Sequence, residues 1–331
     1  MKIALDAMGG DHAPAATVHG AAWAARDFDL TIQLVGQPEA IEAELAKHDT
    51  KGLDLPIIPA SEVIEMHESP STAVKNKKDS SMVVALRSLK AGESDAFVSA
   101  GNSGGVLAAA LFGLGRIKGI KRPALTTIFP NDTKYGYSLL LDVGANTDVR
   151  PEYLLQFALM GCRYAEQVMR IPNPRVGLLS TGEEEEKGNL LIQEVTPLLK
   201  ASHLNFIGNV EAKDVPAGLA DVIVTDGFTG NIFLKGAEGV AWMIRNILER
   251  EIKSRPLARL GALLAQDALR ALRTKLDYRE YGGGPLLGVN GVVIGAHGRS
   301  DPYAIRNAIR VAKQATQNNI VRAIESGLSE L

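Results

Sequence analysis

The sequence predicts an α/β fold: three layers, in which a mostly parallel β-sheet is covered on both faces by helices. Three observations carry that expectation. Short, almost wholly apolar runs such as Lys2–Asp6, Thr31–Val35, Asp95–Val98 and Gly291–Ile294 alternate with longer amphipathic stretches. Runs without polar alternation suit strands buried on both faces, as parallel strands are. Polar, glycine-containing turns also follow these runs repeatedly, at residues 8–12, 99–105, 142–147, 180–189, 226–231 and 295–301.

Taken in order, Lys2–Asp6 leads into Met8-Gly9-Gly10-Asp11-His12, and Pro14 is placed to open a helix reaching about Arg26. Thr31–Val35 is a second strand with a helix near Pro38–Ala46 behind it, and Leu55–Ile58 is a third apolar run. Asp79 is expected to cap a helix over Met82–Leu89. Asp95–Val98 then feeds the turn Ser99–Gly105 and the helix Val106–Phe112. Two strands, Ala124–Phe129 and Ser138–Asp142, flank a turn at 131–136, and Pro151 starts a long helix to about Met169. Further strands are expected at Arg175–Leu179, Asn205–Ile207, Val222–Thr225 and Gly291–Ile294, with Asp301 and Pro302 opening the C-terminal helix.

The 331 residues read as a single α/β domain, residues 1–331, because no linker or low-complexity segment divides them. The region 250–284 breaks the strand–helix rhythm and reads as a helical insertion. A net charge of −2 argues against nucleic acid as a partner. Cys162 is the one cysteine, so no internal disulfide forms and a reducing, cytoplasmic setting is expected. It lies on the apolar stripe of its helix and reads as a core thiol. The opening Met-Lys-Ile-Ala-Leu-Asp has no leader pattern, and no apolar run approaches a membrane span.

The turn Ser99-Ala100-Gly101-Asn102-Ser103-Gly104-Gly105 lies between a buried strand and a buried helix. Backbone N–H groups and the helix dipole make such a turn a seat for an oxyanion, and Asn102 and Ser103 add polar side chains. In open α/β sheets ligands lie beyond the carboxyl ends of strands, so the six turns are expected to converge at one sheet edge.

Five of these segments together resemble the bacterial phosphate acyltransferases of phospholipid synthesis. They are Met8–Asp11, Ser99–Gly104, Asp142-Val143-Gly144-Ala145-Asn146, Asp226-Gly227-Phe228-Thr229-Gly230-Asn231 and Gly295-Ala296-His297-Gly298. The likeness runs from residue 1 to the C-terminal helix; Ser103 stands where the best-known form of the motif has Thr, and the hydroxyl survives. The resemblance implies transfer of an acyl group from acyl-[acyl carrier protein] to inorganic phosphate. It also implies a fold similar to isocitrate and isopropylmalate dehydrogenases and phosphotransacetylase, a homodimer, attachment at the membrane face, and a membrane glycerol-phosphate acyltransferase as downstream partner.

For that reaction the residues divide as follows. Gly101, Asn102, Ser103 and Gly104 seat phosphate. Lys187 either brings a point charge to it or belongs to a solvated run with Glu183–Glu186. Asn231 either donates to the thioester oxygen or caps its helix, and His297 donates to the oxyanion or to the leaving sulfur. Gly9, Gly10, Asp11, Asp142, Asn146, Asp226, Gly227, Thr229 and Gly230 form the substrate loops. No cofactor is expected, and Asp6, Asp11, Asp142 and Asp226 orient loops, since the chain has no compact metal-ligand motif. Counting 100° per residue from Pro256 to Lys275, one helical face holds Leu257, Leu260, Leu264, Ala268 and Leu272, opposite Arg259 and Arg270. Such a helix suits an anionic lipid surface or an interface. Lys75, Lys77 and Lys78 and the same arginines suit an acidic carrier protein. The rival readings are a coenzyme A-dependent phosphotransacetylase and a non-catalytic membrane scaffold. A nicotinamide dehydrogenase fits less well, because Gly113-Leu114-Gly115-Arg116-Ile117-Lys118-Gly119 has the wrong spacing and follows a helix.

Overall fold

Residues 1–330 are described by a computed structural model, and one eleven-stranded sheet runs through it. In chain order the strands are β1 (Lys2–Asp6), β2 (Thr31–Gly36), β3 (Ile57–Pro59), β4 (Ala96–Ser99), β5 (Ala124–Pro130), β6 (Tyr137–Leu141), β7 (Val176–Leu179), β8 (Phe206–Val210), β9 (Val222–Val224), β10 (Gly284–Leu287) and β11 (Val292–Gly295). Their order across the sheet is β3-β2-β1-β4-β11-β10-β5-β6-β9-β7-β8. Seven of the ten neighbouring pairs are parallel; the other three, at β11–β10, β10–β5 and β5–β6, are antiparallel.

Three successive reversals mean that the two parallel groups, β3-β2-β1-β4-β11 and β6-β9-β7-β8, run in opposite directions. Their carboxyl ends therefore do not share one sheet edge, as the sequence suggested. Register brings them together instead. Gly295, ending β11, pairs with Gly284; Leu286 of β10 pairs with Leu125; and Leu141, ending β6, pairs with Thr126. Both groups thus stop at nearly the same level and face each other head to head across β10 and β5. Gly284 permits the junction, since a Cβ there would overlap the Thr126 carbonyl oxygen.

The helices are α1 (Ala15–Phe28), α2 (Pro38–Leu45), α3 (Pro70–Asn76), α4 (Ser81–Ala91), α5 (Ser103–Gly113), α6 (Pro151–Gln167), α7 (Leu190–Ala201), α8 (Asp214–Ala217), α9 (Gly227–Ser254), α10 (Pro256–Leu264), α11 (Gln266–Leu276), α12 (Tyr278–Tyr281), α13 (Pro302–Gln317) and α14 (Ile320–Gly327). Alternate strand residues sort to opposite faces, as the pleat requires. Ile3, Leu5, Ala96, Val98, Leu139 and Leu141 join one large core with α1, α6, α13 and α14. Ala4 and Phe97 point to a second core under α4 and α5, and Leu140 and Ile223 to a third beside α9. Leu125 packs against both of these. Cys162 is buried on α6, and burial pushes its thiol up to about 12, in keeping with a packing role.

Three local expectations are corrected. Asp79 does not cap α4; Ser80 holds that position, and Asp79 accepts hydrogen bonds from the N–H and Oγ of Ser61. β10 was not foreseen, because Gly284-Pro285 reads as a breaker and the strand's apolar part is only Leu286–Leu287. The single helix expected over Pro256–Lys275 is two, broken at Ala265, so one helical face does not run through it. Leu257, Leu260, Leu264, Ala268 and Leu272 are all exposed, Leu257 by 84% and Leu264 by 82%. They cap an arm begun by the 28-residue α9, on which Val240, Trp242, Met243, Ile244 and Ile247 are exposed too. Among the described residues no helix is long and apolar enough to cross a membrane.

Phe97 is fully buried in the centre of the sheet. Phe97→Ala is expected to lower the unfolding free energy by about 3–5 kcal/mol, read from denaturant titration by circular dichroism.

Candidate functional site

Two buried aspartates, one at the end of each inner parallel strand, shape the loops where the strand groups meet. Asp6, closing β1, accepts hydrogen bonds from Ser81 Oγ at 2.6 Å, Ser99 Oγ at 2.7 Å and the Met8 N–H at 3.3 Å. Ser99 Oγ in turn accepts from the Gly101 N–H at 3.0 Å. The turn after β4 is thereby tied to the end of β1. Burial raises the Asp6 carboxyl above the usual carboxylate range, while these donors pull it back. Gly9 packs beside the Gly101 N–H, Gly10 beside Gly298, and the Asp11 N–H donates to the Gly298 carbonyl at 2.8 Å.

Asn102 is the N-cap of α5. Its Oδ1 accepts from the Gly105 N–H at 3.0 Å, and its Nδ2 donates to the carbonyls of Met66 at 3.1 Å and Glu68 at 3.0 Å. That side chain is committed to the scaffold. The groups this turn offers a ligand are Ser103, Gly104 and the first N–H groups of α5, which precede the helical hydrogen-bond ladder.

Asp142 does for the other half what Asp6 does for the first. Its Oδ1 accepts from the N–H groups of Leu125, Gly144 and Ala145 at 3.1, 3.2 and 3.0 Å. Its Oδ2 accepts from the N–H and Nδ2 of Asn146 at 2.7 and 2.8 Å. Burial again raises the carboxyl, against these five donors. Asn146 accepts the Gly227 N–H on its carbonyl at 2.7 Å, and a Cβ at Gly230 would overlap the Asp142 carbonyl oxygen. Asp226 caps α9 through the N–H and Oγ1 of Thr229 at 2.8 and 2.7 Å. Asp142, Asn146, Asp226, Gly227, Thr229 and Gly230 therefore fix the start of α9, and Asn231, which does not cap it, stands on its first turn beside Gly144.

A cavity of about 480 Å³ lies between α5 and α9, over β5 and β10. It brings together Asp11, Gly101, Ser103, Gly104, Asn231 and His297. Five of the six turns meet here. The turn at 180–189 does not, because β7 is separated from β6 by β9. Lys187 on that turn is exposed; its N–H donates to the Glu184 carbonyl, and its stem lies against Gly182. Asp6, Asp142 and Asp226 orient loops, as the sequence suggested. The acidic group that does cluster among the described residues, Glu183, Glu211 and Asp214, contains Lys213 paired to both glutamates.

The cavity also contains Lys235, Glu238 and Ser300, which were not foreseen. Lys235 and Glu238 lie four and seven residues beyond Asn231, on the same face of α9, so helical spacing was an available signal. Lys235 pairs with Glu238 at 3.0 Å, and Arg299 approaches Glu238 at 3.9 Å. Ser300 Oγ is buried without a hydrogen-bond partner, a fact no sequence pattern carries. His297 Nδ1 accepts the Arg299 N–H at 3.3 Å, which puts the proton of the neutral ring on Nε2. Burial lowers the His297 pKa, helped by the positive charges of Arg299 and Lys235 and opposed by Glu238 and Asp11. The site thus offers an anion seat, a cation, an amide and a neutral imidazole donor beside an apolar wall.

The family pattern described as "Fatty acid synthesis protein" matches residues 1–323. A phosphate acyltransferase of Heliobacterium modesticaldum is 55% identical over 98% of this chain and 97% of its own length. One from Desulfitobacterium hafniense is 52% identical over 99% and 98%. Among solved structures, a phosphotransacetylase from Streptococcus pyogenes superposes with a TM-score of 0.65 at 18% identity, covering 96% of this chain and 94% of that one. The last likeness speaks for the fold alone. With half its residues shared with these relatives over its full length, the chain belongs to the phosphate acyltransferase family and is an acyltransferase.

Proposed function

We propose that the chain moves a fatty acyl group from acyl-[acyl carrier protein] to inorganic phosphate, giving acyl phosphate and the carrier's free thiol. The observation that carries this reading is the meeting of the α5 N-terminus, Asn231, Lys235 and His297 in one cavity. A phosphate oxygen attacks the thioester carbonyl carbon, the C–O bond forms and the C–S bond breaks. The proton of hydrogen phosphate ends on the sulfur. The nucleophile arrives charged and the thiolate leaves readily, so the demand on the protein is positioning and charge stabilisation.

In this reading Ser103, Gly104 and the α5 N-terminus seat the phosphate. Lys235 supplies the point charge that the sequence assigned to Lys187. Asn231 and His297 Nε2–H donate to the developing oxyanion. Holding Nδ1 as an acceptor keeps the ring aimed; acid protonates that nitrogen and breaks its bond from Arg299. The exposed apolar side chains of α9 suit a second copy of the chain. Those of α10, beside Arg259, suit an anionic lipid surface that would receive a long-chain product. The lysines near α3 suit an acidic carrier protein, although Lys77 is already paired with Glu68 at 2.7 Å.

The decisive assay is thiol release from acyl carrier protein thioesters with and without phosphate; release that ignores phosphate would refute the reading. Asn231→Ala and His297→Ala are each expected to lower kcat by about 10²-fold, and Lys235→Ala to raise the KM for phosphate by about tenfold. Because the His297 pKa is lowered, its neutral form persists into mild acid. The acid limb of kcat/KM should fall below the ordinary histidine value and move upward in Lys235→Ala, where one opposing positive charge is gone. Liposomes containing anionic lipid should pellet the wild type and fail to pellet Leu260→Glu/Leu264→Glu; equal pelleting would remove the lipid contact.

A further inference from the structure

We infer that the groove between α5 and α9 is the seat of the acyl chain, and that Leu107 and Leu234 set how long a chain it accepts. This rests on the acyl-transfer reading and deepens it. The cavity is divided in character. Polar groups lie at the turns, with Gly101, Ser103, Gly104, Asn231 and His297, and farther along α9 at Lys235 and Glu238. The space between the helices is bounded by Leu107 on α5 and Leu234 on α9, with Leu125 and Leu286 among the strands beneath.

The position of this wall follows from the core. The layer on that face of the sheet is split into two apolar clusters, one under α4 and α5 and one beside α9. Leu125 belongs to the margin of both, so it forms the floor where neither helix closes over the strands. Leu107 and Leu234 flank that floor and are each half-buried. Leu234 is three residues beyond Asn231, about 4.5 Å farther along the helix, so the same helix that brings an amide to the carbonyl brings a leucine alongside the tail beyond its first few carbons. A chain whose carbonyl lies between Asn231 and His297 has an apolar path here, and each methylene it buries adds about 0.8 kcal/mol.

The test compares butyryl and palmitoyl thioesters of acyl carrier protein with purified wild type, Leu234→Trp and Leu107→Trp. A tryptophan at either wall should narrow the groove. The expected result is at least a tenfold fall in kcat/KM for the palmitoyl substrate, butyryl transfer within about twofold of wild type, and an unchanged KM for phosphate. Retained butyryl transfer also shows that the variant is folded. Equal losses on both substrates in both variants, or no loss on palmitoyl in either, would overturn the assignment of the groove. Absence of phosphate-dependent thiol release by the wild type would instead remove the acyl-transfer reading itself.

Discussion

The antiparallel junction at β10 and β5 is the constraint on which the rest depends. Two groups of parallel strands, each with its own βα turns, would ordinarily present separate ligand edges. Three reversals of direction turn the groups against each other, and the register at Gly284, Leu125 and Thr126 stops them at one level. The result is a site inside the span of the sheet. Loops from both halves contribute to it, and the floor is made of β5 and β10 themselves.

Holding loops rigidly at such a junction requires buried polar anchors. Asp6 and Asp142 fill this need in the same way, each at the end of a strand and each surrounded by N–H or hydroxyl donors. Burying a carboxylate costs several kcal/mol unless its oxygens are satisfied. Here the donors belong to the very turns that must be fixed, so the desolvation is offset by loop geometry that the site uses. The side chains of Asn102 and Asn146 extend these anchors to neighbouring segments.

With the anchors accounted for, the groups open to substrate are few and different in kind. In the proposed reading the α5 N-terminus and Lys235 favour a dianion, burial and nearby positive charge lower the His297 pKa, and Asn231 brings an amide from α9. The apolar groove adjoins them because both helices that frame the site leave Leu125 uncovered. In the proposed reading, charge at one end and hydrocarbon at the other suit the two halves of an acyl phosphate.

Much of this was legible in the chain. Uniformly apolar runs separated by Gly-containing turns pointed to a mostly parallel α/β sheet covered on both faces, since strands buried on both sides carry no polar alternation. Local chemistry also determined the cap at Asp301, because it depends on residues only a few positions apart. What only the tertiary structure decided was direction and partnership. Strand order and register, set by contacts between distant residues such as Gly284 and Gly295, excluded the turn of Lys187 from the cavity and admitted Lys235. Packing between α9 and α10 left Leu257 and Leu264 exposed, and hydrogen bonding spent Asn102 on the scaffold. Pattern along a chain reports which face a residue prefers; which distant group meets it is settled by the one way the strands fit together.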